Sequence, residues 1–113
     1  MRLSDQQLET IRSLVARMVP AESQYELILF GSRLNDRARG GDVDLYLETT
    51  GLDAAARTSL QHRLRPALEE ALDLPADLVI QDRQAPHSLV SRIARKEGRS
   101  LLQAKPFSDQ ASK

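Results

Sequence analysis

Tyr25-Glu26-Leu27-Ile28-Leu29-Phe30-Gly31-Ser32 is followed, after nine residues, by Asp42-Val43-Asp44-Leu45-Tyr46-Leu47-Glu48. The first part reads as an apolar strand that ends in a Gly-Ser turn. Its run from Glu26 to Phe30 is too continuously apolar for one wet face, so it is expected to be a central strand covered on both sides. In the second part Val43, Leu45 and Leu47 alternate with Asp42, Asp44, Tyr46 and Glu48, the period-two pattern of a strand with one buried face. Residues two apart in a strand share a face, so Asp42 and Asp44 are expected to point together toward whatever lies beside the turn.

Working outward, Ser4-x-x-Gln7 has the form of a capping box, with Leu3 and Leu8 placed as its hydrophobic staple. Leu8, Ile11, Leu14, Val15, Met18 and Val19 recur at helical spacing until Pro20, which predicts a helix over about 5–19. Asp53 is a suitable N-cap for a second helix over about 54–72, along which Leu60, Leu64, Leu68 and Leu72 repeat. Pro66 falls inside it and is expected either to kink or to divide it. A short third strand follows at Asp77-Leu78-Val79-Ile80-Gln81. A third helix is marked by Pro86 near its start, by Leu89, Val90 and Ile93, by Arg95 and Lys96 in its last turn and by Gly98 after it. Ser100 to Gln103 suits an edge strand. The expected class is α/β (α+β), a small mixed sheet of three or four strands packed against helices, with one domain over 1–103 and a flexible polar tail over 104–113.

Composition narrows the function. The chain has 113 residues, enough for a single core, and its 16 basic and 16 acidic residues cancel. That balance lacks the positive excess of a general nucleic-acid binder, so a nucleic-acid partner is not expected. There is no cysteine, which excludes thiolate metal sites and disulfides. No apolar run approaches the roughly 18 residues needed to cross a bilayer, and the start lacks a secretory apolar segment, so a cytoplasmic location is expected.

The chemistry is concentrated in the opening stretch. Gly31 permits a tight backbone at a strand end, and Ser32 offers a hydroxyl and an N–H to an anionic oxygen. Asp42 and Asp44 are hard oxygen donors, better suited to magnesium than to zinc. If the third strand lies beside the second, Asp77 completes a cluster of three carboxylates. Two divalent ions on such a cluster serve phosphoryl or nucleotidyl transfer. Arg33, Arg37 and Arg39 lie in the intervening loop, Arg33 best placed to meet triphosphate oxygens. Asp36 and Asp82 rank below Asp77, and neither His62 nor His87 has a partner at catalytic spacing.

Gly31-Ser32, nine residues, then Asp42-Val43-Asp44-Leu45 resembles the signature of the DNA polymerase beta nucleotidyltransferase superfamily. Within it, the chain resembles the minimal nucleotidyltransferase (MNT) group often encoded beside a HEPN-domain protein. The leading helix, Ala76-Asp77-Leu78-Val79-Ile80 and the segment from Ile93 to Leu102 extend the likeness over about 5–102. The resemblance implies the nucleotidyltransferase fold and magnesium-dependent transfer of AMP from ATP to a hydroxyl. On it, Asp42 and Asp44 hold two Mg2+ ions, Asp77 holds the catalytic ion and orients or deprotonates the acceptor, and Gly31 and Ser32 hold the terminal phosphates. It also implies an antitoxin whose partner is a HEPN toxin, with a tyrosine of that toxin as acceptor. The alternative is a non-catalytic antitoxin acting by steric complex formation, and a weaker one is a free-standing nucleotide sensor. Many members carry a glycine near Asn35 or Asp36, where this chain has Arg33-Leu34-Asn35-Asp36-Arg37. A separate acceptor-binding domain does not fit in this length, so the acceptor is expected to come from another chain.

Overall fold

A computed structural model describes residues 3–31, 43–85 and 88–104. The elements in order are α1 (Asp5–Met18), β1 (Tyr25–Phe30), β2 (Val43–Thr49), α2 (Ala54–Leu72), β3 (Ala76–Asp82), α3 (Leu89–Glu97) and β4 (Arg99–Ala104). The four strands form one sheet in the order β3-β2-β1-β4. β1 is antiparallel to both β2 and β4, whereas β2 and β3 run parallel. A parallel pair needs a crossover connection, and α2 supplies it.

The sheet is covered on both faces, as the apolar run in β1 requires. On one face Leu27, Leu29, Leu45, Leu47 and Leu78 pack with Ile11 and Val15 of α1 and with Leu60, Leu64 and Leu68 of α2. On the other, Ile28, Tyr46 and Ala94 are buried, with Phe30, Val79 and Val90 packed against them, so α3 lies across that side. The alternation of β2 therefore separates two cores. Its odd positions face α1 and α2, and its even positions face α3.

The local signals act as their chemistry dictates. The Ser4 hydroxyl accepts from the Gln7 N–H at 3.0 Å, and the Ser4 N–H donates to Gln7 Oε1 at 2.7 Å, closing the capping box of α1. α2 continues through Pro66 as one helix, so of the two expected effects, a kink or a division, the division does not occur. α3 starts under a Ser88 cap whose hydroxyl accepts from the Ser91 N–H; Pro86, expected to mark that start, lies outside the described residues. Gly98 does end α3, but with extended backbone instead of the left-handed turn usual for a C-terminal glycine. Its reason is space. A Cβ there would overlap the Ala94 carbonyl and Ile28 Cγ2 and would stand 3.0 Å from the Leu29 carbonyl oxygen.

Both sheet edges are occupied by side chains from the helices. The Ala76 and Leu78 carbonyls of β3 accept from Arg65 Nε at 3.0 Å and Gln61 Nε2 at 2.8 Å. On the opposite edge the β1–β4 register skips Leu101, and the Leu101 carbonyl accepts from Arg12 Nε at 2.8 Å. β4 takes in Ala104, and the rest of the expected tail lies outside the described residues.

Candidate active site

The expected site stands where β1 ends and β2 and β3 begin. β2 and β3 are in register with Asp44 opposite Asp77, and on the antiparallel side Phe30 is opposite Asp44. Partners in a parallel ladder project from the same face, so the two carboxylates stand side by side on the face that carries α3. Asp77 is exposed and Asp44 half-buried. Gly31 has φ +84°, a left-handed backbone that favours glycine. A Cβ on Gly31 would overlap Asp44 Oδ2, with Asp44 Cγ 3.0 Å and Asp44 Cβ 3.2 Å away. The turn and the carboxylate thus occupy each other's space, and a side chain at residue 31 would displace Asp44.

The other expected members, Ser32, Arg33 and Asp42, lie outside the described residues, as do Asp36, Arg37, Arg39 and His87. Among the described residues there is no group of three or more His, Asp or Glu side chains able to hold a metal ion. Asp44 and Asp77 supply two hard oxygen donors on one face, a set whose chemistry fits magnesium. Asp82 is set apart by the register, pairing with Thr49 at the far end of the ladder, where it meets Arg57 at 3.6 Å. His62 is exposed on α2.

A second polar cluster was not expected. Glu48, only 2% exposed, is gripped by Arg95 Nη2 and lies 3.4 Å from both Arg83 Nη1 and the Tyr46 hydroxyl. Arg95 also meets Glu26 at 3.6 Å, and the Tyr46 hydroxyl lies 3.1 Å from Ser91 Oγ. Glu48, Arg83, Gln84 and Arg95 line a cleft of about 360 Å³. It sits four residues along β2 from Asp44, roughly 13 Å at strand rise, so it is not part of the carboxylate site. The alternation of β2 predicts one buried face with Glu48 on the wet side, but α3 covers that side too and buries Tyr46 and Glu48, and a buried carboxylate needs a cation. Arg95, expected to serve the helix dipole, is that cation.

No protein-family model matches the sequence, and no curated protein matches it either. Solved structures do. One is a tri-AMPylated Shewanella oneidensis HEPN toxin in complex with MNT antitoxin, 23% identical, covering 91% of this chain and 75% of that one at TM-score 0.64. A toxin-antitoxin structure with AMP-PNP is 27% identical, covering 87% of this chain and 74% of that one, also at TM-score 0.64. The chain has an MNT-type nucleotidyltransferase fold. A further MNT-type neighbour is a toxin-antitoxin mutant in which two aspartates two positions apart are replaced by glutamate. It is 25% identical, with coverage of 87% and 74% and TM-score 0.64. No helix of the described residues is long and apolar enough to cross a membrane.

Proposed function

We propose that this protein is an antitoxin that transfers AMP from ATP to a hydroxyl, a tyrosine, of a HEPN toxin partner. The observation that carries the reading is the Asp44–Asp77 register pair beside Gly31, two carboxylates fixed by a hydrogen-bonded ladder next to a left-handed turn. Further support comes from similar structures that contain an AMPylated HEPN toxin or AMP-PNP, and from the aspartate pair altered in one of them, which has the spacing of Asp42 and Asp44.

On this reading Asp42, Asp44 and Asp77 hold two magnesium ions, and Gly31, Ser32 and Arg33 hold the terminal phosphates of ATP. Magnesium bound there supplies Lewis acidity at the attacking oxygen and charge neutralisation at the pyrophosphate. The chain's own contribution is position. Asp77, at the exposed edge of the pair, orients the acceptor hydroxyl and takes its proton as the oxygen joins the α-phosphorus and pyrophosphate leaves. Gly31 keeps its backbone against Asp44, so phosphate and carboxylate share one small space. The location in which this chemistry runs is the cytoplasm.

The test is labelling of a HEPN-domain protein that co-purifies with this chain by ATP radiolabelled at the α-phosphate. The expected result is labelling by the wild type and none by Asp42→Asn or Asp44→Asn. Labelling that survives both substitutions sinks the catalytic reading. Toxin neutralisation that survives them while labelling is lost favours the steric alternative.

A further inference from the structure

Among the described residues, the large apolar side chains left exposed are Leu89 at 65% and Ile93 at 38%. They are four apart on α3, so they stand one above the other on one face. Arg92 and Lys96 fall on the same face, at i+3 and i+7 from Leu89, and both are exposed. The opposite face of α3 is spent on the sheet through Val90, Ser91 and Ala94, while Arg95 turns inward to Glu48 and Glu26. The outer face is therefore an apolar pair with Arg92 and Lys96 on one flank and the exposed Glu97 on the other, a surface of net positive charge.

We infer that this face of α3 is the docking surface for an acidic amphipathic helix of the partner protein. This rests on the proposed function, whose acceptor comes from another chain, and adds where that chain sits. An apolar strip on the partner helix would cover Leu89 and Ile93, and carboxylates beside it would meet Arg92 and Lys96. A partner chain is favoured over a second copy as the occupant because a similar structure is a HEPN toxin in complex with MNT antitoxin, and the net positive charge of the face selects an acidic segment of it.

The position fits delivery of an acceptor. α3 begins near β3, where the Ser88 hydroxyl lies 3.2 Å from Gln81 Oε1, and ends at Gly98 against Ile28 and Leu29. The next residue of β1, Phe30, pairs with Asp44. A partner seated on α3 thus lies on the carboxylate side of the sheet and beside its reactive end, whereas α1 and α2 close the other side. At nine residues α3 presents a face about 13 Å long, the size of an anchor within a larger contact.

The experiment is calorimetric titration of a full-length HEPN-domain protein that co-purifies with this chain against four forms: wild type, Leu89→Asp/Ile93→Asp, Arg92→Glu/Lys96→Glu and Asp44→Asn. All four substituted α3 positions are exposed, so unchanged thermal unfolding of the variants is expected. The apolar double variant should bind at least about 100-fold more weakly. The charge-reversed variant should lose about tenfold and much of its salt dependence, and Asp44→Asn should bind as wild type. Wild-type affinity in both α3 variants overturns the inference and leaves the proposed function standing. Absence of wild-type binding removes the partner reading and this inference with it. Self-association of the chain alone that Leu89→Asp/Ile93→Asp abolishes would assign the face to a second copy and overturn the inference as well.

Discussion

Asp44 Oδ2 occupies the space where residue 31 would carry a Cβ, so Gly31 and the β2 carboxylate form a single unit. Gly31→Ala should therefore act twice. The left-handed φ of +84° and the overlap with Asp44 are expected to cost about 1–3 kcal/mol of stability, read by denaturant unfolding. AMP transfer should fall further than this loss explains, because the carboxylate is pushed off its position in every folded molecule.

Asp77 gives the opposite pattern. It is exposed, and Asp77→Asn should leave stability within about 0.5 kcal/mol of wild type. Transfer should drop by at least about 100-fold, the scale for loss of a group that places metal and acceptor. Unfolding and labelling measured on the same preparation separate the two effects.

The Glu48–Arg95 pair is structural, and its removal should show in stability. Arg95→Ala leaves a carboxylate buried without its nearest cation, which is expected to cost about 3 kcal/mol. That is the low end for a broken buried pair, because Arg83 remains 3.4 Å from Glu48. The double change Glu48→Gln/Arg95→Met should recover part of the loss. A double-mutant cycle in urea measures the coupling.

Pro66 lies inside α2 on an exposed turn, where it supplies no N–H to the helix. Pro66→Ala should raise stability by about 2 kcal/mol. The helix-interior penalty of roughly 3 kcal/mol is offset in part by the greater freedom that alanine gives the unfolded chain. A higher midpoint of urea unfolding with an unchanged slope is the expected result.

Much of the architecture was legible because its causes are local. The capping box at Ser4 and Gln7, the leucines of α2 and the alternation from Val43 to Leu47 each depend on neighbours in sequence. Even the pairing of Asp44 with Asp77 could be anticipated, since α2 is long enough to return the chain parallel to β2. Three things were hidden because their causes are distant. Gly98 reads as a helix terminator, but its requirement comes from Leu29 and Ile28 of β1. Arg95 reads as a last-turn base, but its partners are sixty-nine and forty-seven positions earlier, at Glu26 and Glu48. Leu89 and Ile93 mark a helix by their spacing, but periodicity does not say which side of that helix the sheet will cover. Ser32, Arg33 and Asp42 remain proposals of the motif.

The side chains of Gln61, Arg65 and Arg12 have a consequence for the life of the protein before it meets anything else. A four-stranded open sheet has two raw borders, and each exposed carbonyl there invites a foreign strand. Here β3 has its Ala76 and Leu78 carbonyls engaged by α2, and β4 has Leu101 out of register with its carbonyl held by α1. The helices that build the core thus also act as gatekeepers against fibril-like stacking at both borders of the sheet.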